Sequence, residues 1–260
     1  MPKLSARSAS PLVKLIFVGH SGSGKTGALT SLAKAGYKLR ILDLDSGLDA
    51  LVSHVQAECP DKLDNIEFET VRDKYKASAM GPTIAGAPKA YVEAVKLLDK
   101  WSDGTVPGEW GPDTVFVLDS LTQLGRAAFA WARGMNPGAK EPRQWYKTAQ
   151  DSVEDVIAML TSETFNCNVI VISHIDIREQ KDGSVKGFAN SIGAALGPRL
   201  PAYFNTWLLA ETTGIGKQVR RKIKSMPTAI LDLKNPAPMK IDAELPLETG
   251  LATVFEKLKG

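Results

Sequence analysis

The chain has 260 residues, a formal net charge of +3 and a hydrophobic content of 43%, which excludes a disordered or membrane-embedded protein and suits a soluble globular one. This length accommodates one large α/β domain, and the mildly basic charge permits an acidic partner such as nucleic acid without requiring one. Cys59 and Cys167 show no CxxC spacing, so we expect neither a disulfide scaffold nor a zinc site, and we expect a reducing, cytoplasmic compartment.

The N-terminal segment contains a tail followed by the first strand. Residues 1–10 are rich in Ser, Ala, Lys and Arg and are predicted to form a flexible tail, with residues 11–260 forming a single domain. Basic residues ahead of an apolar run resemble a signal peptide, but Lys14 interrupts the run and a glycine-rich loop follows it. No apolar run reaches the roughly 18 residues of a membrane helix, so we expect no membrane partner.

Short apolar segments alternate with segments of helical periodicity along most of the chain. The predicted strands lie at residues 12–18, 39–45, 66–70, 114–120 and 168–173, and the predicted helices at residues 25–35, 88–101, 151–162 and 251–258. This alternation predicts an α/β fold with a mostly parallel sheet flanked by helices. Beyond residue 205, further strands are predicted at residues 207–211, 217–224 and 228–234, the last two forming a C-terminal antiparallel hairpin.

The segment FVGHSGSGKT, residues 17–26, lies between a predicted strand and a predicted helix. Residues 19–26 match the P-loop pattern G-x-x-x-x-G-K-S/T at every fixed position. Glycines let backbone N–H groups turn toward phosphate oxygens, and the following helix adds its positive N-terminal end. We expect Lys25 to reach the β- and γ-phosphates and the Thr26 hydroxyl to ligate Mg²⁺. The predicted nucleotide-binding residues are Gly19, His20, Ser21, Gly22, Ser23, Gly24, Lys25, Thr26 and Gly27.

Asp119 ends the apolar run 115–118. The carboxyl end of a buried strand in the same sheet is where a carboxylate partner of the P-loop Mg²⁺ belongs. Asp119 is therefore predicted to serve the metal site and catalysis, and capping of the next helix is the alternative role. Because the sequence contains no guanine-reading N/T-K-x-D motif, ATP is a better candidate than GTP.

Hydrolysis also requires a group that orients the attacking water. No glutamate follows Asp119, so this base must come from elsewhere in the chain. Asp45 and Glu69 end predicted strands at the correct edge of the sheet, and either carboxylate could instead be an ordinary surface group. His174 follows the strand at 168–173, where it could sense the γ-phosphate or make only structural hydrogen bonds.

The P-loop, LDLDSGLDAL, VFVLDS and VIVISH occur in an order that resembles the RecA-like P-loop ATPase family, most closely the small phage-encoded ATPases of single-strand annealing and recombination. The resemblance implies a RecA-like core that uses ATP and Mg²⁺. It also implies that His174 senses the γ-phosphate and that Asp45 acts as the base, although many relatives carry glutamate there. Lys234 of the pair Lys234–Asn235 would reach the nucleotide of a neighbouring subunit, and an exposed structural lysine is the alternative.

The same resemblance implies a DNA-binding role for the segments that follow two of the strands. These segments are residues 133–146, which include Trp145 and Tyr146, and residues 177–187. Aromatic and cationic side chains on loops suit single-stranded DNA, whose bases stack and whose phosphates attract cations. The implied protein is a homo-oligomer in the host cytoplasm, with nucleotide at the subunit interface.

We therefore predict a DNA-stimulated ATPase that binds single-stranded DNA and promotes annealing or homologous recombination. One alternative is a P-loop kinase for a small molecule, in which the basic segment 219–224 would close over the phosphates as a lid. Another is a slow, ATP-gated regulatory ATPase with a protein partner, which the short carboxylate of Asp45 leaves open. Stimulation of hydrolysis by DNA distinguishes the first function from the other two.

Overall fold

The structure is a computed structural model that describes residues 11–139 and 141–260. The predicted tail, residues 1–10, and Lys140 of the predicted loop 133–146 lie outside the described residues. The strands are β1 (Lys14–Gly19), β2 (Lys38–Asp43), β3 (Ile66–Thr70), β4 (Tyr75–Lys76), β5 (Thr83–Ile84), β6 (Gly111–Asp119), β7 (Cys167–Ser173), β8 (Ile175–Glu179), β9 (Val185–Ala189), β10 (Thr206–Thr213), β11 (Arg220–Lys224) and β12 (Glu244–Pro246). The helices are α1 (Lys25–Ala28), α2 (Thr30–Lys34), α3 (Asp49–Glu58), α4 (Ala90–Asp99), α5 (Leu121–Met135), α6 (Pro142–Thr161) and α7 (Leu247–Lys259).

Within the described residues, eight strands form one sheet in the order β12-β11-β10-β1-β7-β6-β2-β3. The six strands from β10 to β3 run parallel, and β11 and β12 pair antiparallel at the other end. This confirms the predicted mostly parallel sheet with an antiparallel C-terminal part. Asp43 of β2 lies opposite Asp119 of β6 in register, so the loops that follow the parallel strands meet at one edge, where α/β sheets bind their ligands.

The predicted partner of β11 is wrong. Among the described residues, segment 228–234 forms no strand, and β11 pairs with β10 on one side and β12 on the other. The Lys222 Nζ of β11 lies 3.4 Å from a Glu211 carboxylate oxygen of β10 and 2.7 Å from one of Glu244 on β12. Such cross-strand pairs of opposite charge favour this register.

The sheet is covered by helices on both faces. Ile16 and Val18 of β1 pack into the core beneath α4, α5 and α6. Leu15 and Phe17 point to the other face, where α1, α2, α3 and α7 pack. Both faces of β1 are therefore buried, as its uninterrupted apolar sequence predicts for a central parallel strand. Gly36, with a φ of +90°, follows α2 and ends it as predicted.

Two small hairpins stand apart from the sheet, β4 with β5 and β8 with β9. The predicted loop 177–187 lies within the β8–β9 hairpin. Of the described residues in the predicted loop 133–146, only 136–139 and 141 lie between α5 and α6. The loop between α5 and α6 is shorter than predicted because Trp145 and Tyr146 belong to α6. In the part of the chain that the structure describes, no helix combines the length and apolar character that a membrane crossing requires.

Candidate functional site

The P-loop connects the end of β1 to the start of α1. Gly22 and Gly24 have φ values of +75° and +89°, in the left-handed region that favours glycine. A Cβ on Gly19 would lie 2.5 Å from Ser23 Oγ and 2.7 Å from the Ala210 carbonyl oxygen. The loop therefore requires glycine at these positions. The predicted binding residues occupy the loop and the first turn of α1, in the order Gly19, His20, Ser21, Gly22, Ser23, Gly24, Lys25, Thr26 and Gly27.

Lys25 lies inside this loop rather than in solvent. Its Nζ donates hydrogen bonds to the carbonyl oxygens of Gly19 and His20, both at 2.9 Å. Burial lowers the pKa of Lys25 to about 8, against the opposing effect of the Asp119 and Asp45 carboxylates. The loop thus holds a cation at its centre, where phosphate oxygens could replace the two carbonyl oxygens as acceptors.

The environment of the Ser23 hydroxyl indicates whether the loop can accommodate a phosphate group. Ser23 is 3% exposed, and its Oγ has no hydrogen-bond partner among the described residues. A buried hydroxyl without a partner is costly, and a phosphate oxygen in the loop would accept its hydrogen bond. The orphaned hydroxyl, the buried lysine and the glycine backbone all fit a nucleotide phosphate.

Thr26 and Asp119 face each other beside the loop. Thr26 Oγ1 donates a 2.7 Å hydrogen bond to Asp119 Oδ2. The pKa of Asp119 is raised to about 6, mainly by burial and in smaller part by the negative charges of Asp45 and Asp43, against the opposing effects of the Thr26 hydrogen bond and the Lys25 charge. A hydroxyl and a carboxylate are the ligand types that Mg²⁺ takes next to a P-loop, so these two residues would hold the ion. The N-cap of α5 is Ser120, which leaves the carboxylate of Asp119 available for this role.

Asp45 lies two residues beyond the end of β2, because β2 ends at Asp43 and not at residue 45 as predicted. The buried carboxylate of Asp43 fixes the connecting turn. Its Oδ1 accepts the N–H groups of Asp45 at 3.1 Å and Ser46 at 2.7 Å, and its Oδ2 accepts the Thr70 hydroxyl at 3.0 Å. Asp43 therefore positions Asp45, a role that the sequence pattern did not indicate.

Asp45 is brought to His174 and Ser120 at the carboxyl edge of the sheet. The Ser120 hydroxyl donates to Asp45 Oδ1 at 3.0 Å, and His174 Nε2 lies 3.6 Å from Asp45 Oδ2. Burial works to raise the pKa of Asp45, but the neighbouring His174 ring and Ser120 hydroxyl outweigh it and the pKa lies below its ordinary value. Asp45 is thus a carboxylate at neutral pH, able to accept a proton or orient a water molecule.

Glu69, the other candidate base, lies on β3 at the edge of the sheet. Three strands, β7, β6 and β2, lie between β1 and β3 in the sheet, and Glu69 pairs in register with Leu42. Among the residues that the structure describes, Glu69 makes no hydrogen bond or ion pair with Asp119 or His174. The geometry favours Asp45 over Glu69.

Lys234 lies toward the opposite end of the sheet from the P-loop of its own chain. It forms a bridge with Trp207, and Trp207 is in register with Ile16 near the start of β1. Its Nζ donates to the carbonyl oxygens of Pro201 and Phe204. Lys234 cannot serve the nucleotide of its own subunit from this position, and its action on a neighbour stays a prediction.

Arg221 of β11 lies next to the P-loop, a position that no motif in the sequence indicates. A Cβ on Gly24 would lie 3.0 Å from Arg221 Cδ and 2.5 Å from Leu247 Cδ2. Arg221 makes no ion pair among the described residues. The sequence signal was the basic segment 219–224, but its proximity to Gly24 depends on sheet pairing that spans nearly the whole chain.

Residues 12–236 match the protein-family model described as AAA domain. The chain belongs to the AAA domain family. This AAA domain also resembles the crystal structure of the RadB recombinase, with a TM-score of 0.53 and 17% sequence identity over 95% of this chain and 93% of that one. The likeness shows the same fold, which confirms the RecA-like expectation. The AAA domain therefore combines a RecA-like fold with a P-loop.

Two curated relatives match a shorter part of the chain. They are the ribosomal RNA small subunit methyltransferases A of Sinorhizobium medicae (strain WSM419) and Rhizobium meliloti (strain 1021), at 32% and 33% identity over 109 residues. Each match covers 41% of this chain and 38% of the relative. The aligned part therefore spans well under half of those proteins. Methyltransferase is the name of the relatives and is not carried over to this chain.

Proposed function

We propose that this protein is a Mg²⁺-dependent ATPase that binds single-stranded DNA, is stimulated by it, and promotes annealing or homologous recombination as a homo-oligomer. The observation that carries the ATPase part is the meeting of Lys25, the Thr26–Asp119 pair and the Asp45–His174 pair at one edge of the sheet. Phosphoryl transfer to water needs a phosphate cradle, a metal site and a group that positions water. These residues supply all three.

The roles of the side chains follow from their charges and positions. Lys25 would exchange its bonds to Gly19 and His20 for phosphate oxygens and hold the β- and γ-phosphates. Mg²⁺, when bound, would neutralise charge on these phosphates. Asp45 would orient the attacking water and accept its proton, and His174 would donate to a γ-phosphate oxygen. Asp43 holds the turn so that Asp45 stays at this edge.

The DNA-related part of the proposal is supported less directly. The RadB protein, which shares the fold, is named a recombinase. The α5–α6 turn and the β8–β9 hairpin follow the strands that end at Asp119 and Ser173. Exposed cations lie close to them in the chain, Arg143 in the first turn of α6 and Lys181 in the hairpin. We therefore propose single-stranded DNA as the partner and a nucleotide at the subunit interface. We also propose a cytoplasmic location and a narrower likeness to phage-encoded annealing ATPases.

The kinase alternative needs a mobile basic lid over the phosphates. Residues 220–224 instead form β11, which pairs on both edges with β10 and β12. A strand fixed in this way does not open and close over a substrate, so hydrolysis is the better proposal. The regulatory alternative predicts a rate that does not respond to DNA.

The test is ATP hydrolysis by the purified protein with and without single-stranded DNA across a salt series. We expect a DNA-stimulated rate that weakens as salt rises and that falls at least about 100-fold in Lys25→Ala, because the phosphate-holding cation is lost. Lys34→Ala, which removes an exposed lysine of α2 that pairs with Glu58, is the matched control and should retain the rate. A rate indifferent to DNA would overturn the DNA-related part and leave the ATPase part standing.

The same assay assigns the base. Asp45→Asn should lower kcat about 100- to 1000-fold with little change in KM, because Asn holds the geometry but accepts no proton. Glu69→Gln, a matched change on the edge strand, should leave kcat within about twofold. The reverse pattern would make Glu69 the base.

A further inference from the structure

Residues 72–86 form a small hairpin surface that stands between β3 and α4. Tyr75 pairs with Ile84, and Lys76 pairs with Thr83. The base of the hairpin is anchored, because Asp73 Oδ1 accepts the N–H groups of Lys89 at 2.7 Å and Ala90 at 3.1 Å at the start of α4. The base of the hairpin is therefore tied to the start of α4.

The hairpin exposes an aromatic residue that is flanked in sequence by two lysines. Tyr75 is 68% exposed, and Lys74 and Lys76 on either side of it are exposed. Neither lysine makes an ion pair with another described residue. The aromatic residues first predicted to stack on DNA are already engaged: Trp145 Nε1 donates to the Asn136 carbonyl oxygen at 2.7 Å, and the Tyr146 ring lies 4.5 Å from that of Phe129.

The hairpin adjoins the turn between α5 and α6. A groove of about 410 Å³ is lined on one side by β5 and Pro88 and on the other by Arg133, Pro137 and Trp145. A Cβ on Gly134 would lie 3.1 Å from Pro88 Cδ, so the two segments are in contact. Arg133 is exposed at this junction and adds a further cation to the surface.

We propose that Lys74, Tyr75, Lys76 and Arg133, here called the Tyr75 surface, form a contact site for single-stranded nucleic acid. One base stacks on the Tyr75 ring, and the cations hold the neighbouring phosphates. This combination of an exposed ring and unpaired cations suits a single strand, because a duplex hides its base faces. The inference rests on the proposed binding of single-stranded DNA and assigns it to a segment that no motif in the sequence indicated.

The Tyr75 surface is connected to the nucleotide site through the root of the hairpin. Arg72 Nη1 donates to Ser46 Oγ at 3.2 Å, and Ser46 directly follows Asp45. The Val71 N–H donates to the Asp43 carbonyl oxygen at 2.9 Å. A strand bound at Tyr75 would therefore order the segment that holds the Asp45 turn, and it would raise the rate of hydrolysis through the position of Asp45.

The experiment measures binding of a fluorescent oligothymidylate by anisotropy across a salt series. Tyr75→Ala should weaken binding about tenfold and abolish DNA stimulation, because one stacked base is lost, while the rate without DNA stays unchanged. Lys74→Ala and Lys76→Ala should each reduce the slope of log K against log salt by about 0.7. Tyr75→Phe keeps the ring and Lys240→Ala removes an exposed lysine elsewhere, so both should bind like the unchanged protein.

The outcomes separate this inference from the proposed function. If the unchanged protein binds the oligonucleotide and Tyr75→Ala binds equally well, the Tyr75 surface is wrong and the proposed function survives. If the unchanged protein binds no oligonucleotide at low salt, the Tyr75 surface and the DNA-related part of the proposed function are both overturned, and the ATPase part stands. If Tyr75→Ala and Tyr75→Phe lose affinity equally, the ring does not stack and the assignment fails.

Discussion

Lys25 and Asp119 carry pKa values that are displaced toward each other by burial at the same site. The pKa of Lys25 is lowered to about 8 and that of Asp119 is raised to about 6. As pH rises through about 8, Lys25 loses the charge that attracts phosphate. As pH falls through about 6, Asp119 loses the charge that attracts Mg²⁺. The fully competent state of the free protein therefore occupies a narrow range around neutral pH.

We predict a bell-shaped dependence of kcat/KM on pH, with limbs near pH 6 and pH 8. The decisive control is Lys25→Arg. Arginine stays charged over the whole pH range measured, so this variant should lose the alkaline limb even if its rate is lower. Steady-state kinetics between pH 5 and 9.5 would measure both limbs. An alkaline limb that persists in Lys25→Arg would show that another group causes it.

At the scale of elements, the glycine before α1 and the glycine after α2 share a backbone conformation but have unequal surroundings. Gly24 and Gly36 have nearly identical φ values of +89° and +90°. A Cβ on Gly24 would meet Leu247 and Arg221, whereas nothing lies within 4 Å of one on Gly36. Substitution of Gly36 by alanine therefore measures the free-energy cost of the backbone conformation alone. Substitution of Gly24 adds the cost of displacing side chains beside the nucleotide site.

We expect Gly24→Ala and Gly36→Ala to lower the free energy of unfolding by about 1–2 kcal/mol each, because both force alanine into the left-handed region. Only Gly24→Ala should weaken ATP binding, by about tenfold or more, since the new methyl group displaces Arg221 and Leu247 from the loop. Denaturant unfolding and nucleotide titration measure the two effects. Equal ATP affinity in both variants would contradict the assignment of this packing to the site.

The sequence predicts those elements whose signal is local. The P-loop is recognisable because its glycines, Lys25 and Thr26 are consecutive, and the buried strands because their residues are uniformly apolar. The sequence does not indicate the partners of β11, because the charge pairs of Lys222 with Glu211 and Glu244 become apparent only when the strands are aligned in the sheet. Likewise, Asp45 was assigned to the end of a strand, since nothing local indicates that Asp43 would end β2 and bind the turn.

At the scale of the whole molecule, Lys234 has a structural role within its own chain that can be tested apart from any action on a neighbouring chain. Its Nζ bonds the carbonyl oxygens of Pro201 and Phe204, at the end of the sheet away from the P-loop. Removing it leaves these oxygens without that donor, so Lys234→Ala should lower the free energy of unfolding by about 1–3 kcal/mol. Lys240→Ala, an exposed neighbour in sequence, should have little effect.

If Lys234 also acts in trans, mixing two inactive proteins should restore hydrolysis. Lys25→Ala subunits keep Lys234, and Lys234→Ala subunits keep an intact P-loop, so mixed oligomers contain some complete sites. We expect the mixture to exceed the average of the two separate rates several-fold, because trans cations contribute about 10³–10⁵ in rate. A rate equal to the average would restrict Lys234 to its structural role.

The central place of β1 has a consequence for synthesis on the ribosome. Its neighbours are β7 and β10, and Gly19 lies in register with Ala210, about 190 residues later in the chain. At 5–20 residues per second, β1 waits roughly 10–40 s for that partner. Helix α7 must also arrive, because the Phe255 ring packs 5.4 Å from Tyr37 beside the P-loop helix. A nascent or truncated chain that ends before these residues would expose an unpaired apolar strand, a target for chaperones and for aggregation, before it could hold a nucleotide.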